Sequence, residues 1–151
     1  MLPKQDLISQ VLMQARDQGV GSVLFRNAIA KLLGLNSTES ECLSYLAIKR
    51  VSTPTQIAHY TGLTTGSTTS MLDRLEKTRY IKRTPNPDDR RGVLVHINEH
   101  YTDLVKPFIA NLQSAHNTHL GRYSEGELQV ILKFLSQFNA DIYANTPGRS
   151  H

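Results

Sequence analysis

Apolar residues recur at Ile8, Val11, Leu12 and Ala15, and again at Phe25, Ala28, Ile29, Leu32 and Leu33, the spacing of a helix with one apolar face. This stretch is predicted as one long helix or two short ones with a bend at Gly19 and Gly21, since a glycine inside a helix costs about 1 kcal/mol relative to alanine. Gly34 ends it. Thr38 with Glu41 reads as a capping box opening a second helix over residues 39–49, whose Cys42, Leu43, Leu46 and Ala47 turn inward. Thr53 followed by Pro54 starts a short third helix over residues 54–60, because proline is preorganised for the first helical turn. Gly62 then supplies a turn, and Thr64 or Thr65 caps a fourth helix. Met71, Leu72 and Leu75 form its apolar stripe, and Thr65, Ser67, Thr68, Ser70 and Arg74 its other side.

The helical pattern then gives way. Two β-type runs, residues 80–83 and 93–97, flank a loop over residues 84–92 rich in Pro, Asp and Gly, which predicts a hairpin with an extended tip. Beyond it, Leu104, Val105, Phe108, Ile109, Leu112 and Leu120 make one helical stripe. Leu128, Ile131, Leu132, Leu135, Phe138 and Ile142 make another, opened by a capping box of Ser124 and Glu127. Residues 145–151 are expected to fray. The fold class is mainly α with a small β-hairpin wing.

Charge adds a location. The chain of 151 residues carries 17 Lys and Arg against 13 Asp and Glu, a net +4, and residues 50–92 hold an excess of that same size between near-neutral flanks. A basic centre on a neutral scaffold is what a polyanion-binding module needs, because Lys and Arg at phosphates release condensed counterions. On charge alone, a solvated surface face is the simpler reading. A single cysteine excludes an intramolecular disulfide, and no apolar run approaches the roughly 20 residues of a membrane span. With no visible secretory signal, a cytoplasmic location is expected.

A short helix, a tight turn at Gly62 and a second helix with short polar side chains on its outer side form a helix-turn-helix. Such a helix can lie in the major groove and exchange hydrogen bonds with base edges. The basic hairpin that follows makes it winged, with Arg90 and Arg91 at the tip able to reach a narrow minor groove.

The run from Gly62 to Thr69, the Leu-Asp-Arg-Leu-Glu of residues 72–76 and the wing of residues 86–95 with its Asp-Arg-Arg tip resemble the MarR family of transcriptional regulators, over nearly the whole chain. The resemblance implies a homodimer whose first and last two helices pack together, with two winged domains on a palindromic double-stranded DNA site. Residues 1–35 are then an N-terminal dimerisation region, 36–98 the winged helix-turn-helix domain, 99–145 the C-terminal dimerisation helices and 146–151 a disordered tail. It further implies that Thr64, Thr65, Gly66, Ser67, Thr68, Thr69 and Ser70 face the major groove, and that Asp89 orients Arg91 into the minor groove. Arg74 has two readings of equal weight, a phosphate contact or a pair with Asp88 or Asp89. Lys82 and Arg83 can touch phosphate or line a solvated strand edge. Release of DNA by a small, often aromatic, effector is implied by the resemblance alone, without residues to assign. Two departures stand out: many relatives have glycine where this chain has Arg79, so a different route into the wing is expected, and Thr68 replaces an aliphatic residue.

Other chemistry is sparse. Cys42 sits among apolar neighbours on a helix face and reads as a buried structural cysteine rather than a redox sensor. His116 and His119 share a helix, but no neighbour completes a metal site, and no metal or cofactor is expected. There is no nucleophile elbow or phosphate-binding loop, and residues 64–67 have too few glycines for one, so an enzyme is not expected. The rival readings are a winged-helix protein-interaction module that has lost DNA binding, and a small-molecule binder or enzyme using the dimer cleft.

Overall fold

The caps and stripes of the chain generate six helices and three short strands among residues 2–147, the part that the computed structural model describes. The chain divides into two compact units, Met1–Tyr101 and Thr102–His151.

In the first unit, α1 (Lys4–Leu32) runs on through Gly19 and Gly21 as one helix. Helical dihedrals are fully open to glycine, so its cost is entropic and the ladder need not break. Gly34, at φ 68°, closes α1, with Leu35 N–H donating to the Ala30 carbonyl at 2.9 Å. The next helix, α2 (Ser37–Lys49), corrects the predicted cap. Asn36 and Glu39 form its capping box, not Thr38 and Glu41: Asn36 Oδ1 accepts the Glu39 N–H at 2.9 Å, and Glu39 Oε2 accepts the Asn36 N–H at 3.0 Å. Asparagine caps as well as threonine does, and the helix that it opens turns Glu39, Cys42, Leu43 and Leu46 inward. Ala47, expected inside, is exposed because it falls one position beyond that stripe.

Strand β1 (Val51–Ser52) escapes sequence reading because two residues carry no periodicity. It pairs antiparallel with β3 (Asp89–Ile97), which pairs on its other side with β2 (Ile81–Asn86), in the order β1-β3-β2. The expected nine-residue wing loop is a correction too. Pairing continues through Thr84 with Leu94 and Pro85 with Val93, leaving only residues 87–88 as the turn. Pro85 is tolerated because β2 is an edge strand, where no partner awaits its missing N–H.

Between β1 and β2 stand α3 (Pro54–Thr61) and α4 (Thr65–Lys77). Thr53 caps α3 with Gln56 as its reciprocal partner, and Tyr45 of α2 stacks on Tyr60 of α3 at 4.2 Å. Cys42, Leu43, Leu46, Ile57, Met71, Leu72, Leu75, Ile81 and Val95 make the core of this unit. It clamps α4 by one side and leaves the other free.

The second unit holds most of α5 (Glu99–Leu120) and all of α6 (Glu125–Ala144). Ser124 and Glu127 form the predicted capping box, and the bonds from Ser124 hold the Glu127 carboxyl below its ordinary pKa. Pro107, inside α5, removes one helix donor without ending the helix. Of the apolar stripes, only Val105 is buried on α5, and α6 buries nothing. The fraying expected from residue 145 gives way to order at its start: Asn145 Nδ2 donates to the Asp141 carbonyl at 2.8 Å and Thr146 Oγ1 to that of Ile142 at 2.6 Å. Residues 148–151 of the expected tail lie outside the described residues. No helix among the described residues is long and apolar enough to cross a membrane.

Candidate nucleic-acid interface

Gly62 ends α3 in the left-handed conformation, φ 71°, as the turn requires, and Thr64 caps α4 by accepting the Ser67 N–H at 3.2 Å. Thr64, Thr65, Gly66, Ser67, Thr69 and Ser70 are all exposed. Thr68 is the correction: it is 1% exposed, and its hydroxyl donates to the Thr64 carbonyl at 2.9 Å. It lies in register with Met71, Leu72 and Leu75, so it occupies a core position despite its polar side chain. Thr69 Oγ1 and Ser70 Oγ donate to the carbonyls of Thr65 and Gly66 at 3.0 and 3.1 Å. With the donor so engaged, each hydroxyl offers its lone pairs outward.

On the wing, Asp89, Arg90 and Arg91 are exposed. Asp89 engages Arg91 through the main chain, its Oδ1 accepting the Arg91 N–H at 3.0 Å, and the guanidinium extends free of that carboxylate. Gly92 sits so close that a Cβ there would meet Asp89 Oδ2 at 2.9 Å.

Arg74 pairs with neither wing acid. Its Nε donates to Glu39 Oε1 at 2.9 Å, and the side chain stays 57% exposed. Nothing in the spacing of Arg74 pointed to Glu39, 35 residues away in the chain. Arg83 is occupied as well, with Nη1 on Glu76 at 2.6 Å and Nη2 on Asp73 at 2.8 Å. Burial opposes its charge, but the hydrogen bonds to Asp73 and Glu76 outweigh burial and raise its pKa. These two pairs tie the first strand of the wing to α4. Lys82 remains exposed.

Cys42 is fully buried, and burial, reinforced by Glu39, pushes its thiol up to about 12. His116 and His119 are exposed on α5, and among the described residues no three His, Cys, Asp or Glu side chains group as a metal site.

A free polar helix face beside a basic two-stranded wing is the geometry of a winged helix-turn-helix. The MarR family model matches residues 33–92. The uncharacterized HTH-type transcriptional regulator YcgE of Bacillus subtilis is 33% identical over 126 residues, 81% of this chain and 79% of YcgE. The chain belongs to the MarR family.

Solved MarR-fold structures agree with it in architecture. RV1404 from Mycobacterium tuberculosis superposes with a TM-score of 0.60 at 20% identity, covering 93% of this chain and 95% of its own. A mutant MarR from Escherichia coli complexed with operator DNA gives 0.51 at 20% identity, covering 91% and 99%. At these identities the likeness is one of fold. This MarR chain also keeps the helix ending that the arginine substitution put in question. Arg79 takes the left-handed conformation itself, φ 62°, with its N–H on the Glu76 carbonyl at 2.9 Å and the Tyr80 N–H on that of Leu75 at 2.8 Å. The expected detour into the wing is not taken.

Proposed function

We propose that this MarR regulator is a cytoplasmic homodimer that binds a palindromic double-stranded DNA site and represses transcription until a small effector, aromatic in character, releases it. It acts by binding and not by catalysis. The observation that carries DNA binding is the exposed hydroxyl face of α4 standing beside the free arginines of the wing. Thr64, Thr65, Gly66, Ser67, Thr69 and Ser70 meet the major groove, Arg90 and Arg91 the adjacent minor groove, and Arg74 a backbone phosphate. Thr68 shapes the helix from inside. Since Thr69 and Ser70 present acceptors, they favour the exocyclic amines of adenine or cytosine, and the Thr69 methyl suits that of thymine.

Dimerisation draws support from apolar surface. Leu7, Ile8, Val11 and Leu12 of α1 are between 42% and 47% exposed, and Leu132, Leu135 and Ile142 on the stripe of α6 between 49% and 66%. Helices with such faces need a partner, and contiguous apolar surface marks association sites. Two recognition helices must stand about one DNA turn, ~34 Å, apart to engage both half-sites. An effector would act through its differential affinity for spacings that fit and do not fit.

The test is fluorescence anisotropy against a labelled duplex from the chain's own upstream region, with a scrambled duplex as control, at two salt concentrations. Preferential, salt-sensitive binding of two protomers per duplex is expected. No binding even at low salt would transfer the function to protein partners.

A further inference from the structure

One carboxylate serves two elements. Glu39 Oε2 accepts the Asn36 N–H at 3.0 Å and closes the cap of α2, while its Oε1 accepts Arg74 Nε–H at 2.9 Å from the last turn of α4. The Glu39 side chain is 10% exposed, so it is held firmly from one side. A guanidinium is planar and presents separate donor edges, so a bond at Nε fixes the plane and leaves the Nη fork to another acceptor. Among the described residues no acceptor meets Nη1 or Nη2 of Arg74. Arg74 also lines an open cleft of about 410 Å³ with Asn36, Thr38, Ser67 and Ser70, between the start of α2 and the outer face of α4. The positive end of the α2 dipole adds to the attraction for an anion there.

We propose that Glu39 is a positioning residue for DNA binding: by holding Nε, it aims the Nη fork of Arg74 at a backbone phosphate flanking the recognition helix. The inference rests on the DNA-binding reading above and adds to it a residue that lies outside the helix and the wing. It separates two roles for a carboxylate near DNA. A brake would neutralise Arg74 and repel the phosphate, whereas a positioning group makes Arg74 depend on it. Lysine cannot replace Arg74, because an ammonium has no second planar edge to offer once Glu39 is engaged.

The experiment uses the full chain and a duplex that the unmodified protein selects from a random-sequence pool. Affinity is measured over a salt series for Arg74→Ala, Arg74→Lys, Glu39→Gln and the double variant Glu39→Gln with Arg74→Ala. Melting temperature is read on each, and glutamine remains a competent capping-box partner. Arg74→Ala is expected to weaken binding about tenfold and to reduce the slope of log K against log salt by about 0.9, the loss of one phosphate contact. Arg74→Lys, which leaves the cap untouched, should lose nearly as much affinity. In the Glu39→Gln background, Arg74→Ala should cost less than about threefold, since the aim is already lost. Tighter binding by Glu39→Gln, a full tenfold cost of Arg74→Ala in both backgrounds, or complete rescue by lysine would each overturn the proposal while leaving DNA binding intact. Failure of the unmodified protein to select any duplex would overturn the DNA-binding reading and this one with it.

Discussion

Cys42 shares the core with Leu43, Leu46 and Ile57, and its thiol, raised from 9.0 to about 12, is neutral throughout the physiological range. Thiolate is the reactive form, so iodoacetamide at pH 8 should leave the native protein unlabelled and modify it only after denaturation; rapid native labelling would return the redox reading. The folded pKa stands above the unfolded one, so the stability tied to the neutral thiol is complete below pH 9 and is lost as pH climbs toward 12. Melting temperature should fall across that window in the wild type more than in Cys42→Ala. At Arg79 the strain is backbone strain. A left-handed arginine costs about 1 kcal/mol that glycine avoids, so Arg79→Gly should raise stability by about that amount in chemical denaturation. Thr68 and Cys42 also mark what a sequence discloses at this scale. Cysteine is apolar enough to be assigned to the core, whereas a threonine in a helix of hydroxyls looks like its outward neighbours until the register of Met71, Leu72 and Leu75 is fixed to within one position.

At the scale of elements, α4 and the wing form one device. Arg83 reaches from β2 to Asp73 and Glu76, so the wing is moored to α4 by two charged bonds. Arg91→Ala should weaken operator binding by about 1 to 3 kcal/mol with the fold unchanged, as read by footprinting titration with circular dichroism as control. Arg83→Ala, by contrast, should lower melting temperature and DNA affinity together. The helices and the hairpin were legible because their stripes are long and their caps chemically explicit, as Thr53 with Pro54 and Ser124 with Glu127 show. The box at the start of α2 was misread because Thr38 with Glu41 fits the Ser/Thr-x-x-Glu spacing, whereas the helix starts two residues earlier on an asparagine cap. Pairing partners of Arg74 and Arg83 were illegible for a different reason: ion pairs 35 and 7 residues apart depend on how elements pack, not on local spacing.

For the whole molecule, the informative quantity is the apolar surface left over. α6 carries Leu128, Ile131, Leu132, Leu135, Phe138 and Ile142 at helical spacing yet buries none of its residues. In a monomer, Leu135→Glu would be a surface change worth within about 0.5 kcal/mol. In the proposed dimer it places a charge in an apolar interface, so light scattering should show half the mass at micromolar concentration, and operator affinity should fall at least about tenfold as one half-site is lost. An unchanged mass would move the interface away from α6. The stripe itself was plain in the sequence. What covers it was not, because amphipathicity specifies that a face must be covered and says nothing of which surface covers it.

The crowding at the tip of the wing has an evolutionary reading. A side chain at position 92 would collide with the Asp89 carboxylate and displace it from the Arg91 N–H, so glycine at 92 cannot drift while aspartate stays at 89. Positions 89 and 92 should therefore covary across the descendants of this regulator, with the loss of glycine at one accompanied by the loss of aspartate at the other.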